Sequence, residues 1–214
     1  MKTRLSQYQP DRLLLGDVAV SVQTMMHTAS DAFGADCIYH AIMALQLLAD
    51  HRVPARLCAG HAAWRVGTAP GAVVAHHPQG EVIEDGRGVV FHAWITLADG
   101  SWIFDPTTYQ LAAKMAMIDA ADGLVTPVEI PEEWMGSVLM PAASTATWAQ
   151  VRDGRSAGVC CYDANSALTR QILAHPDSVA DPDLLPTLRM IFSHVSSRRA
   201  LRVVGMRGAI SLFA

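Results

Sequence analysis

Residues 88–105 constrain the fold more tightly than any other part of the chain. The run Val89-Val90-Phe91-His92-Ala93-Trp94-Ile95-Thr96-Leu97 leads into Ala98-Asp99-Gly100-Ser101, and Trp102-Ile103-Phe104-Asp105 resumes the apolar pattern. Asp-Gly between two β-prone runs is the strongest short-range hairpin signal. With Asp99-Gly100 as the turn, Ala98 faces Ser101 and Trp94 faces Asp105. His92 then shares a face with Asp105 as a diagonal neighbour, within side-chain reach. A slip of one residue would send the two to opposite faces, so the turn chemistry itself brings an imidazole and a carboxylate together.

The elements around this hairpin set the class. Leu14, Val18, Val22 and Met25 or Met26 recur at helical spacing over 11–29. A turn-like stretch, 30–36, follows and places Asp36 as the N-cap of the next helix. That helix runs from Cys37 to about Asp50 with Ile38, Ala41, Ile42, Leu45 and Leu48 as its apolar stripe, and Val53-Pro54 closes it. Short strand-like runs occupy 55–66 and 73–83. Beyond Pro106, residues 110–120 read as helical, 121–150 as irregular, and about 164–175 and 183–200 as helices. Strands clustered after helices predict an α+β fold with an antiparallel sheet. The expected organisation is a core over 1–110, including the N-terminal helix, with 111–214 as a mostly helical extension packed on it.

Composition removes several classes. A chain of 214 residues, 51% hydrophobic and 17% charged, is long enough for one buried core and too apolar to be disordered. No stretch approaches the ~18–20 apolar residues of a membrane helix, and the first residues lack a secretory pattern. A cytoplasmic location without a membrane partner is expected. The net charge of −4 gives no nucleic-acid signature. Arg189, Arg198, Arg199, Arg202 and Arg207 read as a solvated helix face set against the acidic 119–133 segment. Four cysteines are too few for a disulfide scaffold. Cys58 reads as core, Cys160-Cys161 as an ordinary buried strand, and His76-His77 as a loop rather than a metal site.

Cys37 is different. At the first turn of a helix, free backbone N–H groups and the helix dipole favour a thiolate and offer donors to a developing oxyanion. A thiolate, an imidazole and an orienting carboxylate are the parts of nucleophilic catalysis. Asp36-Cys37 opening a helix, Val53-Pro54-Ala55-Arg56-Leu57-Cys58-Ala59-Gly60-His61, and Phe91-His92-Ala93-Trp94-Ile95 with Trp102-Ile103-Phe104-Asp105-Pro106-Thr107 together resemble the transglutaminase-like superfamily, a circularly arranged relative of papain-type cysteine enzymes. The match spans roughly residues 30–110, about half the chain.

The resemblance implies a nucleophile-bearing helix packed on an antiparallel sheet, with Cys37 as nucleophile, His92 as general base and acid, and Asp105 as the orienting acid. It implies cysteine-dependent hydrolysis of an amide, peptide or ester bond through a thioester, with no metal or other cofactor. The alternatives are acyl transfer to an amine and an inactive interaction module that keeps the fold. Trp94 and Trp64 are the candidate substrate-binding residues, and Gln23, Trp64 and Tyr39 are candidates for a second oxyanion donor. A peptide or amide-containing substrate and a second copy of the chain are the candidate partners.

Overall fold

A computed structural model of the chain describes residues 8–29, 36–76 and 91–211. Helix α1 (Arg12–Ala29) begins where the Asp11 carboxylate accepts from the Leu13 and Leu14 amides at 3.0 and 3.1 Å, which satisfies two otherwise orphaned donors. Its stripe of Leu15, Val18, Val22, Met25 and Met26 is buried. Helix α2 (Cys37–Asp50) has the bounds expected of it. It ends with Arg52 in the left-handed region at φ 57° and the Val53 amide donating to the Leu48 carbonyl, after which Pro54 prevents continuation.

The sheet is built on β1 (Ala55–Arg65), which pairs antiparallel with β2 (Val73–His76), β3 (His92–Leu97) and β6 (Val159–Ala164). Strand β4 (Trp102–Asp105) joins β3, and β5 (Val138–Pro141) joins β4. The β3–β4 pairs are Leu97–Trp102, Thr96–Ile103 and Ile95–Phe104, the register expected from the Asp-Gly turn. Positive φ at Ala98 and Gly100 (54° and 98°) makes that turn. Helices α3 (Leu111–Asp122), α4 (Trp148–Asp153), α5 (Ser166–Leu173) and α6 (Leu185–Ser211) complete the described chain.

Side chains alternate across the strands, and this alternation divides the interior. Leu57, Ala93, Ile95, Leu97 and Phe104 form one cluster with α1, α2 and Leu188 of α6. Ala62, Trp64, Val74 and Cys160 form another with Leu111, Met115, Trp134 and Val138. The expected α+β class holds, and 111–214 is mostly helical where described, but it is more than an extension packed on a core over 1–110. That half supplies β5 and β6, which pair with β4 and β1 and so complete the core sheet. Two other expectations also change. His76 ends a strand rather than sitting in a loop, while His77 lies outside the described residues. Arg189 pairs with Asp50 at 2.7 Å rather than with the 119–133 segment. Cys160 and Cys161 are buried in β6 as expected. No helix among the described residues is long and apolar enough to cross a membrane.

Two glycines test this packing in opposite directions. A Cβ at Gly60 would fall on the Asp163 carbonyl oxygen of the adjoining β6, whereas one at Gly16, inside α1, would meet nothing within 4 Å. Gly60→Ala is expected to destabilise by ~1–3 kcal/mol through overpacking. Gly16→Ala is expected to stabilise by ~0.5–1 kcal/mol through helix propensity and unfolded-state entropy. Urea unfolding midpoints of the two variants check both signs.

Candidate functional site

The hairpin register brings His92 and Asp105 into contact. His92 Nε2 lies 2.8 Å from Asp105 Oδ2, and neither side chain has solvent exposure. The same oxygen accepts from the Tyr162 hydroxyl at 2.8 Å. Asp105 Oδ1 accepts from the Thr107 amide and hydroxyl at 2.9 and 2.7 Å. Four donors converge on one carboxylate, which is how a buried charge is tolerated. Burial pushes its pKa up, but the His92 charge and these hydrogen bonds win, holding it well below the ordinary carboxylate range. For His92, burial pushes the pKa down, and the Asp105 charge and hydrogen bond, with contributions from Cys37, outweigh it and raise the value to about 9.

Cys37 begins α2 beside the start of β3, its Sγ 4.0 Å from the Phe91 carbonyl oxygen. Phe91 is the residue before His92, and Cys37 is among the groups that raise the His92 pKa. With Nε2 committed to Asp105, the other imidazole nitrogen, Nδ1, is buried without a hydrogen-bond partner and is the atom left to exchange a proton. Cys160 and Cys161 have thiol pKa values pushed up by burial to about 12 and 11, so they are inert beside it.

Asp36 does not cap α2 as expected. Its side chain makes no cap hydrogen bond; the carboxylate instead accepts from Gln110 Nε2 at 3.2 Å and lies 3.6 Å from His40 Nδ1. His40 Nδ1 also meets the Asp36 carbonyl at 3.0 Å, and its Nε2 meets the Tyr109 hydroxyl at 3.0 Å. Burial lowers the His40 pKa, so the ring is neutral, donating from Nδ1 and accepting at Nε2. This buried network turns the carboxylate away from the first-turn N–H groups of α2. Those amides therefore keep their donor capacity at the cysteine.

The aromatic candidates occupy the interior of the site. Trp64 and Trp94 are each 1% exposed, and both pack on the His92 ring, Trp64 edge-on at 4.9 Å and Trp94 stacked at 6.1 Å. They wall the imidazole rather than face solvent. Trp64 is also excluded as an oxyanion donor, because its indole N–H donates to the Tyr162 hydroxyl at 2.9 Å. Gln23 is excluded likewise: its amide donates to the Pro106 carbonyl at 3.0 Å and to the Gly136 carbonyl, which anchors the turn after Asp105. Tyr39 is 42% exposed on α2, outside the His92–Asp105 network.

The sequence alone gives no role at this site to Tyr162, Thr107, Gln110, His76 or Lys114. Tyr162 stands two residues from Cys160, in a segment read for its thiols, and its partner Trp64 comes from β1, so no local pattern joins them. For Thr107 a local signal does exist, its Asx-type position two residues after Asp105. Among the described residues, no three His, Cys, Asp or Glu side chains form a group that could hold a metal ion.

Asp105→Asn tests the electrostatics. Removing the carboxylate leaves burial as the larger influence, so the His92 pKa is expected to fall by ~2 units or more in an NMR titration. The linkage has a definite sign. A histidine raised from 6.5 to about 9 in the folded state contributes stability that is complete below pH 6.5 and lost as pH rises to about 9. That loss is expected in the parent chain and absent in Asp105→Asn.

No family model matches the chain, and no curated protein matches it. A solved structure titled "The crystal structure of genomics APC5867" is similar in fold, with a TM-score of 0.52 at 17% identity, over 89% of this chain and 82% of that one.

Proposed function

We propose that the chain is a transglutaminase-like cysteine hydrolase that cleaves an amide, peptide or ester bond through a thioester on Cys37. The observation that carries this reading is the buried His92–Asp105 hydrogen bond of 2.8 Å, which commits one imidazole nitrogen and leaves the other, unpartnered, for Cys37. Asp105 fixes the tautomer and stabilises the imidazolium, as the third member of such a set does.

In the reaction, Cys37 and His92 act as a thiolate–imidazolium pair, with the proton held on Nδ1 and favoured there by Asp105, and the thiolate attacks the substrate carbonyl. The carbonyl oxygen takes negative charge as the C–S bond forms, and the first-turn amides of α2, left uncapped by Asp36, donate to it. Collapse breaks the C–N or C–O bond, and His92 returns its proton to the leaving amine or alcohol. A water molecule, deprotonated by His92, then attacks the thioester and releases the acid and the Cys37 thiolate. An amine in place of water would give acyl transfer by the same steps.

A small activated ester such as 4-nitrophenyl acetate tests the reading. One acetyl group is expected on Cys37 and on no other cysteine, by mass spectrometry of the quenched protein. His92→Ala is expected to slow acylation by roughly 10²-fold or more, the range of a lost general base. Adding a primary amine distinguishes transfer from hydrolysis by the product formed. Acylation absent, or indifferent to His92, would leave the fold as an interaction module.

A further inference from the structure

Lys114 stands on α3 and is only 8% exposed. Its ammonium meets one hydrogen-bonding side chain, His76 Nε2 at 3.4 Å, and pairs with no carboxylate among the described residues. His76 ends β2 opposite Ala62, while His92 begins β3 opposite Gly60. The two β1 partners are two residues apart, so the imidazoles share a face, and their ring centroids are 4.9 Å apart. Lys114 is therefore one imidazole away from His92.

His76 cannot neutralise this lysine. Burial, with the positive charges of His92 and Lys114, pushes its pKa down to about 2, so it is a neutral ring accepting at Nε2. Burial lowers the Lys114 pKa, and the nearby charges of Cys37, Asp105 and Asp36 oppose that shift without overcoming it. A buried cation whose partner among the described residues is neutral is costly unless something anionic joins it.

We propose that Lys114, positioned by His76 one imidazole away from His92, forms a subsite that binds a carboxylate of the substrate, so that the preferred substrates are amides or esters carrying an acid group close to the scissile carbonyl. One cation beside a neutral ring matches a monoanion; phosphate sites draw on several donors or cations. The proposal rests on the cysteine-hydrolase reading for its location, and its test separates the two.

Binding to Cys37→Ala, which cannot form the thioester, is measured by calorimetry with succinamate, an amide bearing a carboxylate, and with butyramide, its neutral counterpart. Succinamate is expected to bind roughly tenfold or more tightly than butyramide, as a charge-assisted hydrogen bond provides. Adding Lys114→Gln is expected to abolish that preference, and adding Lys114→Arg to retain part of it, with thermal unfolding confirming that each variant is folded. Equal binding of the two amides, no measurable succinamate binding, or a preference that survives Lys114→Gln would overturn the subsite. In the parent chain, the 4-nitrophenyl ester of succinate is expected to acylate Cys37 faster than the butyrate ester. If succinamate binds through Lys114 but neither ester acylates Cys37, the subsite stands and the hydrolase reading falls.

Discussion

An imidazole and a carboxylate, both fully buried, meet at 2.8 Å at one end of the sheet, and much of the surrounding structure exists to make that contact tolerable. Two buried charges cost several kcal/mol each unless they are paired and the remaining lone pairs are filled. Here Thr107 fills one carboxylate oxygen and Tyr162 shares the other with His92. Tyr162 is itself held by Trp64, so a strand from the second half of the chain and one from the first are joined through the charge they serve. Removing His92 would leave the Asp105 charge buried without its counter-charge.

The helix that carries Cys37 is set against this pair by a second, separate network. α2 packs on the face of β3 that bears Ala93, Ile95 and Leu97, while His92 lies on the opposite face by alternation. Cys37 and His92 are therefore closest in the fold where the helix begins and the strand begins, with the Cys37 sulfur 4.0 Å from the Phe91 carbonyl. Gln110 and His40 hold the Asp36 carboxylate at that junction. They occupy the carboxylate and so spare the first-turn amides a competing acceptor.

What was legible in the sequence followed from local chemistry. The Asp-Gly turn fixed the register of β3 and β4, and with it the shared face of His92 and Asp105. The apolar stripe and Val53-Pro54 bounded α2. What was not legible came from pairings across the chain. Strand β5 is four residues long, too short for an alternating pattern to stand out among the prolines and small residues of 121–150. β6 was read as a strand, but nothing in Val159–Ala164 says that it lies against β1. Asp36 has the residue type of an N-cap, and only a glutamine from residue 110 explains why it does not act as one.

The central claim is that His92 governs the chemistry of Cys37. The most direct measurement is the rate of Cys37 alkylation by iodoacetamide between pH 5 and 9, followed cysteine by cysteine in the parent chain and in His92→Ala. The account predicts that at pH 6 Cys37 reacts well ahead of Cys58, Cys160 and Cys161, and that His92→Ala slows it by roughly tenfold or more. Equal rates in the two proteins, or Cys37 reacting no faster than the other three thiols, would contradict it.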